Sequence, residues 1–354
     1  MACWSPTVKI DSHVPNRYGR QWCPCVWGFS VKLLVTGGAG FIGSNFIRHT
    51  LRTHAEDAVV CFDKLTYAGN LENLSDVADD RRYRFAQGDI VDPSAVDATV
   101  AGCDAIVNFA AQTHVDRSID DPTEFLQTNI FGTRVLLEAV RRHRIKRMLQ
   151  VSTDEVYGSR LTGEFRETDP LEPNSPYAAS KASADLMCRA YRVTFGVPVV
   201  IVRCSNNYGP YQYPEKVIPF FVTRLLTGQK VPLYGDGRNV RDWLYVEDCC
   251  AGIDLALRRG ADGEVYNIGG GNELPNVELT HRVLALLGKS ESSIEYVKDR
   301  LGHDRRYAID SSKIRQLGWQ PRVAFEDGLQ RTVRWYEEHE AWWRKLLERA
   351  EVTK

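Results

Sequence analysis

The chain of 354 residues is short of long apolar runs. None approaches the roughly 18 residues that a membrane-spanning helix needs, so no membrane partner is expected. It is equally short of charge of one sign. Lysine and arginine total 45 against 46 aspartates and glutamates, a formal net charge of −1. That balance argues against bulk nucleic acid as a partner and leaves room for a local basic pocket that takes a diphosphate. Repeats of solenoid length are missing. The cysteines lack a disulfide framework: nine is an odd number, and Cys61, Cys103, Cys188, Cys204, Cys249 and Cys250 scatter through the body of the chain. They read as buried free thiols in a reducing cytoplasm. Cys23 and Cys25 have neither the usual zinc spacing nor a second pair, and no metal is expected.

Residues 1–30 differ from the rest. They hold Trp4, Trp22 and Trp27, several prolines and no periodic apolar pattern. A secretory signal needs a continuous apolar stretch behind a basic start, which is not found here. The segment reads as an N-terminal extension of unassigned role ahead of a domain that begins at Val31.

From there, short β-rich runs alternate with helical spacing. Lys32–Thr36, Ala58–Phe62, Tyr83–Gln87, Ala105–Phe109, Met148–Ser152 and Val197–Arg203 read as buried strands, and Phe41–Arg52, Thr123–Arg142 and Tyr177–Thr194 as helices. Such alternation predicts an α/β fold with a doubly wound, Rossmann-type parallel sheet. Beyond Tyr208 glycine and proline become frequent. Helices are expected over Pro219–Thr227, Val246–Arg258, Asn276–Leu287 and Phe325–Glu340. The expected organisation is a dinucleotide-binding domain over 31–207, with 265–268 as a candidate extra strand. A smaller, mainly substrate-binding lobe would take 208–354.

Lys32–Thr36 runs directly into Gly37-Gly38-Ala39-Gly40-Phe41-Ile42-Gly43, and a helix comes next. Glycines 37, 40 and 43 allow a tight turn, close approach of a pyrophosphate, and packing of helix on strand. The helix N-terminus offers free N–H groups to phosphate. Asp63 closes the second strand 20 residues after Gly43. Its carboxylate suits a ribose diol and repels a 2′-phosphate, which favours NAD over NADP, although Lys64 beside it acts against that preference. Asp89 and Ile90, after the third strand, are candidates to flank the adenine. Ala110 and Ala111, after the fourth, leave room for the cofactor to cross.

Tyr177-Ala178-Ala179-Ser180-Lys181 puts a phenol and an ammonium on one helix face. A nearby cation is expected to lower the tyrosine pKa toward that of a useful base. Thr153, past the fifth strand, supplies a hydroxyl that can share a proton with a substrate alcohol.

The runs VTGGAGFIGS, YAASK and NNYGPYQYPEKVIP together resemble the extended short-chain dehydrogenase/reductase family. Ser152-Thr153-Asp154-Glu155-Val156-Tyr157-Gly158 is most similar to the dTDP-glucose 4,6-dehydratase branch of that family. HVDRSI, GDGRNVRDWLYVED, NIGGGNE and DRLGHDRRYAID match further, so that the likeness runs from Val31 to about Tyr336. It implies a lyase that uses NAD and a nucleotide sugar, dTDP-glucose being the branch's substrate, and a homodimer. Thr153, Asp154, Glu155, Tyr177 and Lys181 would be catalytic. Phe41, Ile42, Lys64, Leu65, Thr66, Thr128 and Asn207 would join the glycines, Asp63, Asp89, Ile90, Ala110, Ala111, Tyr177 and Lys181 around NAD. Thr113, Thr153, Asn206, Lys216, Val217, Pro232, Tyr234, Arg241, Asn276, Asp299 and His303 would hold the nucleotide sugar. Leu301, where many relatives have proline, and Cys204, where threonine is common, depart from the pattern. Three other functions stay open at this point. A 4-epimerase or a UDP-glucuronate decarboxylase would share Tyr177 and Lys181, and a non-catalytic NAD-binding protein would have little use for them.

Overall fold

The computed structural model describes Trp27 and residues 30–352. Its first half runs β1 (Lys32–Thr36), α1 (Phe41–Thr53), β2 (Ala58–Asp63), β3 (Tyr83–Gln87), α2 (Pro93–Val100), β4 (Ala105–Asn108), α3 (Val115–Asp120), α4 (Thr123–Phe125), α5 (Thr133–His143), β5 (Arg147–Thr153), α6 (Pro176–Phe195) and β6 (Val199–Cys204). The strands are short Val/Ile/Leu runs because both of their faces are covered. Leu33, Val35, Val59, Val107, Leu149 and Val202 point into a core shared with α1 and the later helix over Val246–Arg259. Their sequence neighbours Leu34, Val60, Ile106, Met148 and Ile201 point into a second core under α2, α5 and α6. Alternate side chains of a strand thus feed opposite layers.

The second half runs β7 (Asn206–Tyr208), α7 (Val217–Leu226), β8 (Val231–Tyr234), β9 (Val240–Tyr245), α8 (Val246–Arg259), β10 (Val265–Ile268), β11 (Glu273–Pro275), α9 (Asn276–Leu286), β12 (Ile294–Val297), α10 (Ser312–Gln316), α11 (Phe325–Glu338) and α12 (Glu340–Val352). Seven strands form the main sheet in the order β10-β6-β5-β4-β1-β2-β3, every neighbouring pair parallel. This is the doubly wound arrangement expected, with 265–268 on its edge. β1 and β4 are neighbours although not consecutive. The strand order reverses there, and at such a point a crevice opens beyond the strands' carboxyl ends. A three-stranded sheet (β11-β9-β7) and the β8–β12 pair are separate from the main sheet. A further core holds Phe221, Trp243, Leu279, Tyr336 and Trp343. Among the described residues no helix is long and apolar enough to cross a membrane.

Several expectations need correction. The helix expected over 123–142 is interrupted by a π-helical stretch at Leu126–Gly132. There Gly132 sits so close to Ile90 that a Cβ would lie 2.4 Å from its side chain. Asn129 turns inward to bond the Gln112 backbone and the Ser180 hydroxyl. The expected final helix stops at Glu338, and α12 begins after His339. Of the apolar residues along the helix expected over 123–142, Phe125, Leu136, Leu137 and Val140 are buried within this chain's own core and Ile130 is half-buried. Exposed instead are Leu126, Phe131, Leu186 and Val193. Trp27, inside the expected extension, packs on the first core and donates its Nε1 to the Arg258 carbonyl at 3.0 Å. Trp4, Trp22, Cys3, Cys23 and Cys25 lie outside the described residues.

Candidate active site

One cleft runs from the β1–α1 loop, across the ends of β2, β4, β5 and β6, to the loop before α7. At one end the glycine turn shapes it. Gly37 has φ +64°, and a Cβ there would stand 2.5 Å from Ala110 N; one on Gly43 would stand 2.3 Å from Gly37 O. Only bare backbone fits, and α1 begins at Phe41 with its first amides free of helical partners, as at any helix start. This cradle fits the diphosphate of a dinucleotide. Asp63 is held in place by Ala39 N on Oδ2 at 3.0 Å and Leu65 N on Oδ1 at 2.8 Å. Burial pushes its carboxyl up, and the two amides oppose that. Lys64 pairs with Asp89 at 2.8 Å, so its charge is already engaged and offers a 2′-phosphate little. Phe41, Ile42, Thr66, Asp89, Ile90, Ala110, Ala111, Thr128 and Asn207 line the same cleft, whereas Leu65 turns its chain with φ 58° and packs on the core.

Across the cleft stands the tyrosine–lysine pair. Ser175 caps α6 by accepting from Ala178 N, Pro176 opens its first turn, and Gly196 ends it in the left-handed conformation. Tyr177 is fixed by Ser118 Oγ on its backbone N–H at 3.1 Å and by the edge of Phe125. The expected lowering of its pKa is not what the geometry gives. Burial and the facing Glu155 carboxylate push the phenol well above its usual range, with the Thr153 hydroxyl acting the other way. Lys181 directs its ammonium to the Val151 carbonyl at 2.7 Å, and burial lowers its own pKa.

β5 ends at Thr153, whose hydroxyl accepts from Glu155 N and caps a single 3₁₀ turn over Asp154–Tyr157. This turn lets two adjacent carboxyls face one cleft, which a straight strand forbids. Asp154 is buried; desolvation first, then Glu155 and Asp242, push its carboxyl well above the ordinary range. Its Oδ2 has no partner among the described residues. Burial also raises Glu155, but the charges of Arg241, Arg300 and Lys216 counter it. The two carboxyls are thereby made unequal, Asp154 pushed toward its protonated form by its neighbours as well as by burial, Glu155 drawn back by three cations.

Thr113, Asn206 and Lys216 join this end of the cleft, with Lys216 Nζ on the Thr113 carbonyl at 2.8 Å. Asn206 Oδ1 is buried without a partner among the described residues. Arg241 is buried, donates to the Val240 and Asp304 carbonyls, and lies 4.2 Å from the Tyr307 ring centroid. Arg241, Val217, Pro232, Tyr234, Asn276, Asp299 and His303 stand outside the cleft wall. Tyr234, His303 and Asp299 form their own group, His303 Nδ1 and Asp299 Oδ1 being 2.6 Å apart. The charges of Arg241 and Arg300 act on both Glu155 and His303. Reasoning from sequence passed over Arg300, Gln212 and Glu215, although DRLGHD and NNYGPYQYPEKVIP contain them.

The chain matches the family model described as GDP-mannose 4,6 dehydratase over residues 34–332. It is 54% identical over 328 residues to a dTDP-glucose 4,6-dehydratase of Streptomyces niveus, covering 91% of this chain and 98% of that one. The crystal structure of a Streptomyces venezuelae dTDP-glucose 4,6-dehydratase with NAD and TYD bound superposes with TM-score 0.87 at 55% identity, over 89% of this chain and 99% of that one. A Thermus thermophilus UDP-glucose 4-epimerase in complex with NAD gives TM-score 0.81 at 32% identity, over 87% and 99%.

Proposed function

The chain belongs to the GDP-mannose 4,6-dehydratase family, and we propose that it is an NAD-dependent lyase converting dTDP-glucose to the 4-keto-6-deoxy sugar. The glycine turn, Asp63 and the end of β4 would hold NAD, which would supply a hydride acceptor for sugar C4, a hydride donor for C6 and, while oxidised, a positive charge in the cleft. Tyr177 takes the C4 hydroxyl proton, with Thr153 bridging phenol and alcohol. The resulting C4 carbonyl acidifies the hydrogen on C5. Glu155 removes that proton, and Asp154 gives its own to the departing C6 hydroxyl, which leaves as water; as hydride reaches C6, Glu155 returns a proton to C5, and the C4 alcohol proton held by Tyr177 passes through the Thr153 hydroxyl to restore Asp154. Lys216 and Arg241 suit the diphosphate, Asn206 a sugar hydroxyl. The roles of the remaining site residues follow the family likeness: Lys64, Leu65, Thr66, Asp89, Ile90, Thr128 and Asn207 toward NAD, and Val217, Pro232, Tyr234, Asn276, Asp299 and His303 toward the nucleotide.

The observation that carries this reading is the unequal carboxyl pair, Asp154 with a free buried Oδ2 beside Glu155 among three cations. A 4-epimerase moves hydride to and from C4 and needs no such pair. Incubation with dTDP-glucose and with UDP-glucose tests it. A base-labile 4-keto product from the first is expected; a 4-epimer alone would put the chain with the epimerases. We also infer a homodimer. Leu126, Phe131, Leu186 and Val193 lie exposed on two helical segments packed side by side, an apolar surface that a second copy would cover. The free, buried cysteines suit the cytoplasm. The division into a dinucleotide domain over 31–207 and a substrate lobe over 208–354 fits the same reading, with β10 lent to the first.

A further inference from the structure

Behind the acid–base turn runs a buried polar chain that none of these steps uses. Tyr157 closes the turn two residues after Glu155. Asp185 stands on α6 one helical turn beyond Lys181 and two beyond Tyr177, so the three share a helix side. Arg203, on β6, joins them: its Nε donates to Asp185 Oδ2 at 2.9 Å and its Nη1 to the Tyr157 hydroxyl at 2.8 Å. That hydroxyl donates in turn to Asn267 Oδ1 on β10, also at 2.8 Å. All four residues are buried, none more than 4% exposed. The Tyr157 ring is stacked on Phe165 with centroids 5.1 Å apart. The side chain that ends the catalytic turn is therefore held by its face and by its tip.

Stability alone is a poor reason to bury a guanidinium and a carboxylate. Their desolvation offsets much of their attraction, and apolar residues of similar volume often do as well or better. What the ion pair adds is direction, because a planar guanidinium fixes two partners at set angles. We propose that Asp185, Arg203 and Tyr157 form a positioning unit that ties the turn bearing Asp154 and Glu155 to the helix bearing Tyr177 and Lys181, so that acid, base and phenol meet one sugar ring. The unit rests on the dehydratase reading above. Asp185 serves the helix side as well, since its negative charge opposes the burial-driven loss of charge on Lys181.

Tyr157→Phe tests the tie, because it removes one hydroxyl and keeps the ring, its stack on Phe165 and its contact with the guanidinium. In a single turnover with dTDP-glucose the absorbance of reduced cofactor rises with C4 oxidation and falls as hydride returns to C6. The rise should stay within about twofold of the parent while the fall slows by roughly tenfold to a hundredfold, the range that a small misplacement of reacting groups produces. Exchange of the C5 hydrogen with deuterated solvent should slow alongside. Arg203→Lys, which keeps the charge but not the fork, should show the same split between phases. If Tyr157→Phe lowers the melting temperature but leaves both phases at the parent's rates, or slows the two equally, the unit is structural and the proposal fails. A parent protein that makes no 4-keto product from dTDP-glucose would overturn the dehydratase reading, and the proposal with it, before any variant is made.

Discussion

Trp342 donates its indole N–H to the side-chain carbonyl of Asn73 at 3.0 Å. Asn73 Nδ2 donates to the Ala39 carbonyl at 2.8 Å, and Ala39 N binds Asp63 Oδ2. α12 lies past residue 332, where the match to the family model ends, yet it is linked through three hydrogen bonds to the glycine turn and the acid that ends β2. Trp342→Phe keeps most of the apolar contact and strands a buried carbonyl. It should lower stability by about 1–3 kcal/mol and weaken NAD binding several-fold. Thermal unfolding and a calorimetric NAD titration measure the two. Unchanged NAD affinity in a destabilised variant would confine α12 to a packing role.

Asp63→Asn should change cofactor preference. The substitution removes the negative charge that disfavours a 2′-phosphate and weakens one of the charge-assisted bonds to Ala39 N or Leu65 N. Hydrogen bonds to charged groups are worth about 1.5–3 kcal/mol, so NAD affinity should fall roughly ten- to a hundredfold. The discrimination against NADP should shrink with it, and paired titrations read both. Equal loss for the two cofactors would remove the ribose role from Asp63.

Asp154→Asn should stabilise the fold while crippling the reaction. The folded carboxyl binds its proton more tightly than the unfolded one, whose ordinary value is 3.8. The folded state is therefore favoured most below that value, and stability is lost as pH rises from it toward the raised folded value. Asparagine carries no such titration. The variant should gain stability relative to the parent as pH climbs through the window and keep the gain at neutrality. Water loss should slow about a hundred- to ten-thousand-fold, as for a missing general acid. Unfolding curves that stay parallel at every pH would show that Asp154 is not held protonated.

The sequence made the parallel sheet legible because its strands are buried on both faces. Leu33-Leu34-Val35 cannot be read as an exposed hairpin, and the glycines after Thr36 mark a tight turn into a helix. The π-helical stretch at 126–132 was not legible, since the i, i+3, i+4 pattern continues through it. What breaks the α-helix there is contact with distant groups, Ile90 at Gly132 and Gln112 at Asn129. Tyr177 and Lys181 were legible as a pair, but their protonation was not. It depends on Glu155 facing the phenol and on Val151 drawing the ammonium away, neither of which spacing reveals. Arg300 stood in a quoted motif yet looked like any surface arginine until it came to lie near Glu155.

Tyr177→Phe and Glu155→Gln should fail at different points. A variant without the phenol hydroxyl accepts no proton from the C4 alcohol, so no reduced cofactor should form even transiently. Glu155 has no proton to take until C4 is a ketone. Glu155→Gln should therefore oxidise the sugar and then stop, holding reduced cofactor and the 4-keto hexose together. Removing this carboxylate also removes a charge that pushes the phenol upward. The alkaline demand on Tyr177 should ease, and the pH at which the oxidation phase reaches half its maximum should fall below the parent's. Stopped-flow absorbance across a pH series records both effects. A Glu155→Gln protein that dehydrates at the parent's rate would strip the residue of its role as base. One that blocks oxidation as completely as Tyr177→Phe would make it part of the first step instead. In either case the unequal carboxyls would no longer separate a dehydratase from an epimerase, whereas a lone loss of the second phase would leave Glu155 as the group that commits the sugar to losing water.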